Sequence, residues 1–242
     1  MPPLLCVAIN GARTAEEHPH IPKTPQEQAR AARAAVDAGA QIVHLHAFDV
    51  NGQETLKAQP CAATLRAVRA VCPGIPISLT TSATIEPDPE RRLALIAGWT
   101  ELPDLVTANQ GEAGIVPLCE HLLKRGVGIE AGLLQLNDAH LFVRSGLADK
   151  CVRVLLEPLD ADPQDAVAHA AAMEDVLLRA GIGLEQMHHG DGIASWAVCQ
   201  RALEHQLGIR TGLEDTTVLP NGNLAADNAE LVRAAVSMMS VK

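Results

Sequence analysis

The segment TPQEQARAARAAVDAGAQIVHLHAF (residues 24–48) joins an amphipathic stretch directly to a short apolar run. Thr24 and Pro25 are typical of a helix N-cap and first helical turn, and Gly39 is typical of the residue that follows a helix. The run QIVHLHAF (residues 41–48) is short and apolar and follows small residues, which predicts a buried strand. The segment therefore predicts a helix followed at once by a strand.

The same alternation extends along the whole chain. Eight apolar runs predict strands over residues 4–10, 41–48, 75–82, 104–110, 127–133, 151–157, 184–189 and 209–215. Amphipathic stretches after them predict helices over residues 25–38, 61–71, 88–97, 114–125, 137–147, 162–180, 194–205 and 223–239. Eight short-looped strand–helix pairs are typical of a closed parallel barrel. We therefore predict an α/β fold with a single (β/α)8 TIM barrel domain over residues 1–242.

Composition excludes several classes of protein. The chain is 48% hydrophobic and 20% charged, which is the balance of a folded globular protein. Its net charge of -10 opposes binding to a phosphate backbone, so we expect no nucleic-acid partner. No G-x-G-x-x-G motif follows the first predicted strand, which argues against a dinucleotide-binding sheet.

Cysteine spacing and hydropathy predict a location. The six cysteines include no C-x-x-C pair, so we interpret them as reduced thiols, mostly buried. The sequence shows no secretory signal and no run of about 20 apolar residues that would cross a membrane. We therefore expect a cytoplasmic protein with no membrane partner.

Two histidines lie near the end of the second predicted strand. Because side chains alternate along a strand, His44 and His46 point to the same side, and two neutral imidazoles there are suitable metal ligands. Reactive groups of such barrels collect at the carboxyl ends of the strands. The alternative is a pair of buried histidines that hydrogen-bond to their neighbours.

The last predicted strand ends in RTGLED (residues 210–215). Glu214 would complete a set of two histidines and one carboxylate, which leaves positions open for substrate, as in catalytic zinc sites. Iron or manganese would accept the same ligands. Alternatively, the adjacent carboxylates cap the last helix.

Other polar residues stand near the ends of the middle strands. Glu130 lies in an apolar run and needs a partner, such as a metal-bound histidine, a substrate group, Arg210 or Arg13. Hydroxyl and amide groups also occur there, and they suit a substrate carboxylate as well as ordinary loop capping. They are Thr80, Thr81, Ser82, Thr107 and Asn109.

The seventh predicted strand ends in HHGDG (residues 188–192). His188 or His189 could be a further ligand or a proton shuttle, but we favour the two histidines of the second strand as metal ligands. The glycines allow close backbone approach, but Gly-Asp-Gly alone is more often a turn.

Together these motifs resemble the β-keto acid cleavage enzymes, whose founding activity is 3-keto-5-aminohexanoate cleavage in lysine fermentation. The similarity runs from end to end. It rests on NGAR (residues 10–13), HP (18–19), PKTP (22–25), AGA (38–40), HLH (44–46), RTGLED (210–215), NG (221–222) and NAEL (228–231).

The resemblance implies a barrel that binds one zinc ion per chain and forms a homo-oligomer, either a dimer or a tetramer. It implies the exchange of a β-keto acid and acetyl-CoA for acetoacetate and a new acyl-CoA. It also implies roles for individual residues. They are His44, His46 and Glu214 as metal ligands, Asp215 as the base, Arg210 as the residue that orients Asp215, Glu130 as an outer acid, and Thr80, Thr81, Ser82, Thr107 and Asn109 as substrate donors.

Arg13 departs from the family pattern, because the founding activity uses an acid at this position to meet the substrate amine. We therefore expect Arg13 to contact a neutral or anionic β-keto acid. The chain is also somewhat short for the family. Two other functions remain open, a metal-dependent hydrolase or class II aldolase-like lyase and a ligand-sensing barrel without catalysis.

Overall fold

The computed structural model describes residues 3–240, so both ends of the predicted domain lie outside the described residues. The strands are β1 (Leu5–Ala8), β2 (Ile42–Leu45), β3 (Ile77–Thr80), β4 (Leu105–Asn109), β5 (Gly128–Leu133), β6 (Arg153–Leu156), β7 (Glu185–His188) and β8 (Gly208–Thr211). The helices are α1 (Pro25–Ala38), α2 (Ala58–Val71), α3 (Pro89–Ala97), α4 (Ile115–Lys124), α5 (Leu136–Ser145), α6 (Pro163–Arg179), α7 (Ala194–Glu204) and α8 (Asn228–Ser240).

The eight strands form a closed barrel in chain order. All neighbours are parallel, and closure occurs where β1 pairs with β8, with Leu5 opposite Ile209. This confirms the predicted (β/α)8 fold. No helix among the described residues is long and apolar enough to cross a membrane.

Local sequence signals set the starts of several helices. Thr24 and Glu27 form a capping box at α1, each side chain accepting a backbone N–H of the other residue. Asp88 accepts two backbone N–H groups at the start of α3, and Asp162 does the same at α6. These caps place the helix N-termini at the barrel end where the strands finish.

The main hydrophobic core lies between the strands and the surrounding helices. It contains Val7, Leu45, Leu79 and Ile129, which alternate with the side chains that face into the barrel. A small second cluster contains Cys6, Ile42, Leu105, Leu155 and Met187, all from barrel strands. Other buried barrel residues are polar, among them His44, Ser78 and Glu130, so reactive groups lie near the strand ends.

The end of β8 differs from its predicted boundary. The strand ends at Thr211, and the following residues form a turn, so Glu214 and Asp215 are turn residues. Gly212 has φ of 149°, and a Cβ atom there would lie 2.1 Å from the Ala8 carbonyl oxygen. Close approach to β1 therefore requires a glycine and bends the chain out of the strand.

The last helix begins at Asn228, so the predicted start at residue 223 was wrong. Before it, Val218 pairs with Leu224 in an isolated antiparallel bridge. Asp227 then accepts the backbone N–H of Glu230, which starts the helix. Helix α5 also ends earlier than predicted, at Ser145, because Gly146 takes a left-handed conformation with φ of 71°.

Candidate metal and catalytic site

Three neighbouring strands bring the predicted metal ligands together. His44 lies on β2, His46 follows directly after it, and Glu214 lies in the turn after β8. Strand β1 pairs with both β2 and β8, so it holds the two segments at a fixed separation. The turn at Gly11 has φ of 60° and passes directly beneath the Glu214 side chain.

The ligand atoms of His44, His46 and Glu214 all lie within 4.8 Å of one another. Nε2 of each imidazole is 3.6 Å from a different carboxylate oxygen of Glu214. Oε2 of Glu214 is buried and has no hydrogen-bond partner among the described residues. Ligand atoms about 2.1 Å from a tetrahedral zinc ion would be separated by roughly 3.4 Å, so the set fits such an ion.

Contacts at Nδ1, the ring nitrogen that does not face Glu214, hold the His44 imidazole in place. Its Nδ1 lies 3.1 Å from Ser78 Oγ, and Ser78 donates a hydrogen bond to Glu130. Arg153 NH1 in turn donates to Glu130 at 3.3 Å. Thr107 Oγ1 also lies 3.3 Å from His44 Nδ1. These contacts leave Nε2 of His44 facing Glu214, as metal-binding histidines require.

The backbone of His46 is fixed by two buried amides. Its carbonyl accepts hydrogen bonds from Asn10 Nδ2 at 3.0 Å and from Gln28 Nε2 at 2.9 Å. Its ring Nδ1 contacts the carboxylate of Glu54, which comes from the loop after β2. Both imidazoles therefore have an oxygen partner at Nδ1 and present Nε2 to the same carboxylate.

Asp215 is buried beside Glu214 and is bound by a guanidinium. Arg210 donates to the two carboxylate oxygens of Asp215 at 2.6 and 3.2 Å, and to Glu214 at 3.2 Å. Bidentate contact of this kind fixes both the direction and the charge of a carboxylate. The predicted base, its predicted orienting arginine and the predicted metal ligand therefore lie together.

Burial and local charge set the protonation of the ligands. Burial lowers the pKa of His44 to about 3, so this imidazole is neutral, the form that binds metals. Burial also acts on His46, but Glu214 and Glu54 outweigh it and raise the pKa of His46 to about 9. Burial opposes the charge of Glu214, and Arg210 with the two imidazoles overcomes it, so the pKa of Glu214 lies well below its usual range.

The other buried acids divide into two kinds. Burial opposes the charge of Asp215, but Arg210 and His189 keep its pKa below the usual value. Burial dominates at Glu130 and at Glu157, and it raises the pKa of each above the usual value. Asp215 is thus the buried carboxylate that its partners keep ionised, as a proton acceptor must be.

The predicted substrate donors do not all face the metal ligands. Thr107 does, through the contact of its hydroxyl with the ring of His44. Thr81 instead donates to the Thr107 carbonyl at 2.7 Å, and Asn109 donates to Glu112 at 3.1 Å. Both side chains are therefore engaged in joining β4 to its neighbours and its following loop.

Two further predicted donors lie at the end of β3. Thr80 is buried, and its Oγ1 accepts the Ser82 backbone N–H at 3.3 Å. Ser82 itself is half-buried and its hydroxyl contacts that of Thr84 at 2.8 Å. Their roles toward a substrate remain predictions.

Arg13 lies beside the β8 turn with its guanidinium occupied. Its Nε donates to the Glu214 carbonyl at 2.9 Å, and NH2 donates to Asp191 at 2.8 Å and to the Asp215 carbonyl at 3.3 Å. NH1 pairs with Glu17 at 3.2 Å. Arg13 therefore holds the turn that carries Glu214 and Asp215, and its predicted contact with substrate remains a prediction.

Sequence reasoning missed several members of the site. Ser78 precedes Thr80 by two residues and so shares its strand face, a signal that was available. Glu130 pairs with Arg153, whereas the sequence had suggested a metal-bound histidine or a substrate group as its partner, or alternatively Arg210 or Arg13. Glu54 lies in a loop without any pattern that marks it. Glu157, directly after β6, lies 3.4 Å from Nε2 of His189.

Fold and site together define a (β/α)8 barrel with a candidate two-histidine, one-carboxylate metal centre at the carboxyl ends of its strands. A sequence model of the beta-keto acid cleavage enzyme family matches residues 2–241. The chain belongs to this family, which confirms the resemblance read from its motifs.

Individual relatives agree with this placement. The chain is 27% identical to a 3-keto-5-aminohexanoate cleavage enzyme of Fusobacterium nucleatum, over 97% of this chain and 90% of that protein. It is 26% identical to a 3-oxoadipate:acetyl-CoA acetyltransferase of Cupriavidus necator, over 98% of this chain and 88% of that protein. Both are enzymes, and both are similar to this chain over nearly its whole length.

A solved structure is similar in fold. The binary complex of ObcA with oxaloacetate superposes with a TM-score of 0.72 and 18% identity over 90% of this chain. This chain spans 63% of that protein's length. At this identity the likeness shows the barrel fold alone.

Proposed function

We propose that this protein is a zinc-dependent β-keto acid cleavage enzyme. It converts a β-keto acid and acetyl-CoA into acetoacetate and a new acyl-CoA. The observation that carries the proposal is that Asp215, held by Arg210, lies next to three side chains that could hold a metal ion, two of them buried and one half-buried. The relative named as an acetyl-CoA acetyltransferase supports the use of acetyl-CoA.

Each residue of the site has its own role in the proposed reaction. His44, His46 and Glu214 would hold the ion, which as a Lewis acid supplies electron withdrawal from the keto group. Asp215 accepts the proton from the carbon between the carboxylate and the ketone. Arg210 keeps Asp215 ionised and fixes its direction. Thr107 supports His44, because its hydroxyl lies 3.3 Å from Nδ1 of that ring.

The overall exchange balances without an oxidant or reductant. The carbanion formed after proton removal attacks the acetyl thioester carbon, a new carbon–carbon bond forms, and the carbon–sulfur bond breaks to release the thiolate of coenzyme A. The thiolate then moves to the carbonyl of the original keto acid, and the bond between that carbonyl and the α-carbon breaks. The α-carbon regains a proton, and the products are acetoacetate and the new acyl-CoA.

We propose further that the keto acid is neutral or anionic away from its reacting end. Arg13 supports this, since it puts a cation at the edge of the site where the founding activity has an acid. A panel of β-keto acids that differ in charge at the distal end would test it. A clear preference for 3-keto-5-aminohexanoate would contradict this assignment.

The first experiment is to purify the protein, measure its metal content and follow acyl exchange from acetyl-CoA by mass spectrometry. We expect acetoacetate and a new acyl-CoA from at least one keto acid, with about one zinc per chain. Asp215→Asn should retain the metal and lose the exchange. Bound metal with turnover that does not depend on acetyl-CoA would favour a hydrolase or an aldolase-like lyase instead.

A further inference from the structure

A fully buried imidazole lies between two carboxylates behind the metal ligands. His189 follows β7, and its side chain has no exposed surface. Its Nδ1 is 3.5 Å from Asp215 Oδ1, and its Nε2 is 3.4 Å from Glu157 Oε2. Neither ring nitrogen has a hydrogen-bond partner among the described residues.

The neighbouring histidine has a different environment. His188 precedes His189 on the same strand, so its ring points to the opposite face. Its Nε2 lies 3.0 Å from Gln186 Oε1. Among the charged groups near it are Glu174 and Arg201, which belong to α6 and α7. His188 therefore provides an internal comparison that shares strand and burial but not contact with the site.

Asp215 is held firmly on one side only. Among the described residues, Arg210 donates both hydrogen bonds that the Asp215 carboxylate accepts, from NH2 and Nε. His189 approaches Oδ1 at a distance longer than an ordinary hydrogen bond. Such contacts around catalytic groups commonly tighten when substrate binds. Glu157, which is one-fifth exposed, faces the far edge of the same ring and lies 3.8 Å from Arg210 NH2.

We propose that His189 is a positioning residue for Asp215. Its Nδ1–H donates to Oδ1 of Asp215 during proton removal, and Glu157 holds the opposite edge of the ring. This inference rests on the proposed function, in which Asp215 removes the α-proton of a β-keto acid. It adds Glu157 and His189 to the groups that determine how fast this proton is removed.

Two amide substitutions separate the two edges of the ring. In His189→Asn the amide nitrogen can take the place of Nδ1, and in His189→Gln it can take the place of Nε2. His189→Asn thus retains a donor toward Asp215, and His189→Gln retains one toward Glu157. His188→Gln is the matched control on the opposite face of the strand.

For each variant, the rate of α-proton exchange, the kinetic constants of the full reaction and the metal content are measured. Exchange of the α-proton in deuterated water without acetyl-CoA follows proton removal, kcat and KM follow the full reaction, and metal analysis follows the ligands. We expect His189→Gln to lower proton exchange and kcat by about tenfold or more, as loss of an orienting partner does, with little change in KM or metal content. His189→Asn should restore most of the loss, and His188→Gln should match the unmodified protein.

Four outcomes would overturn the inference. Equal exchange rates in the two His189 amide variants would mean that the Asp215 edge has no special role. An equal loss in His188→Gln would mean that strand packing, rather than positioning, is responsible. Full activity in both His189 variants would remove the residue from the site while leaving the proposed function intact, whereas an unmodified protein that shows neither cleavage nor proton exchange would overturn both.

Discussion

Two networks of buried polar residues meet at Glu214. They differ in the contacts that offset the cost of burying polar and charged groups. The histidine network consists of His44, Ser78, Thr107, Glu130 and Arg153, and it reaches Glu214 through hydroxyl groups and a neutral imidazole. The arginine network consists of Arg210, Asp215, His189 and Glu157, and it reaches Glu214 through a guanidinium. In the histidine network, hydroxyl groups separate His44 from the buried ion pair of Glu130 and Arg153. In the arginine network, Arg210 contacts Asp215 and Glu214 directly.

The two networks suit two different tasks at a candidate metal site. A hydroxyl-mediated network can orient an imidazole through its Nδ1 atom. Burial then keeps the His44 imidazole neutral. A guanidinium in contact with a carboxylate keeps that carboxylate ionised in a buried place. We therefore expect damage to the histidine network to weaken metal binding, and damage to the arginine network to weaken proton removal and stability.

The largest effect should come from Glu214, which belongs to both networks. Glu214→Gln removes the only anionic ligand of the candidate site among the described residues. We expect a loss of metal affinity larger than the roughly 10- to 100-fold that follows loss of an outer partner, together with loss of activity. Metal analysis after dialysis measures it, with the exposed Glu120→Gln as control. Full metal retention would rule out the proposed ligand set.

Removal of the central cation should have the next largest effect, this time on folding. Arg210→Met leaves Asp215, Glu214 and Glu157 without the guanidinium that they share. Breaking a buried pair in this way typically costs about 3–5 kcal/mol. Urea unfolding of the metal-free protein measures the change.

A matched control exists for the Arg210 substitution. Arg179 pairs with Asp175 at the surface, and its side chain is 79% exposed. Arg179→Met should leave the unfolding free energy almost unchanged, because exposed pairs contribute little. Equal effects of the two substitutions would mean that the arginine network does not stabilise the barrel.

A smaller and more selective effect is expected in the histidine network. Ser78→Ala removes the contact at Nδ1 of His44 and the hydrogen bond to Glu130. We expect metal affinity to fall by about tenfold. A competitive metal titration measures this, with Ser82→Ala, a nearby hydroxyl outside the network, as control. Unchanged affinity would contradict the role assigned to Ser78.

The smallest effect concerns the glycine beneath Glu214. A Cβ atom at Gly11 would lie 2.4 Å from Glu214 Cγ, and the residue has φ of 60°. Gly74 has φ of 81° with nothing within 4 Å of its Cβ position. Gly11→Ala and Gly74→Ala should each cost about 1–2 kcal/mol for the left-handed backbone. Only Gly11→Ala should also weaken metal binding, which urea unfolding and a metal titration of both variants would measure. Unchanged metal affinity in Gly11→Ala would mean that the clash with Glu214 is relieved elsewhere.

Much of the fold followed from local patterns. Thr24-Pro25 and Asp162-Pro163 predicted helix starts because the capping chemistry is contained within four residues. The eight strands were recognised from short apolar runs, although most are shorter than predicted. Helix α8 was misplaced because the bridge between Val218 and Leu224 precedes it, and no periodic pattern marks such a loop.

The proximity of the three candidate metal ligands was predictable for a similar reason. His44 and His46 share a strand face, and Glu214 ends a neighbouring strand in a barrel whose ends collect reactive groups. Their partners were harder to predict. The contact between Glu130 and Arg153 depends on the register of adjacent strands, and the contact between His189 and Glu157 depends on ring directions at two strand ends.

The sequence by itself determined the closed barrel, the motif set of the family and the three candidate ligands, because each depends on periodicity or short-range chemistry. Only the tertiary structure decided which charges meet. It placed Glu130 against Arg153, engaged Arg13 with the β8 turn, and set His189 between two acids. The physical reason is that buried ion pairs form between residues distant in sequence, and strand register, closure and side-chain direction select each partner together.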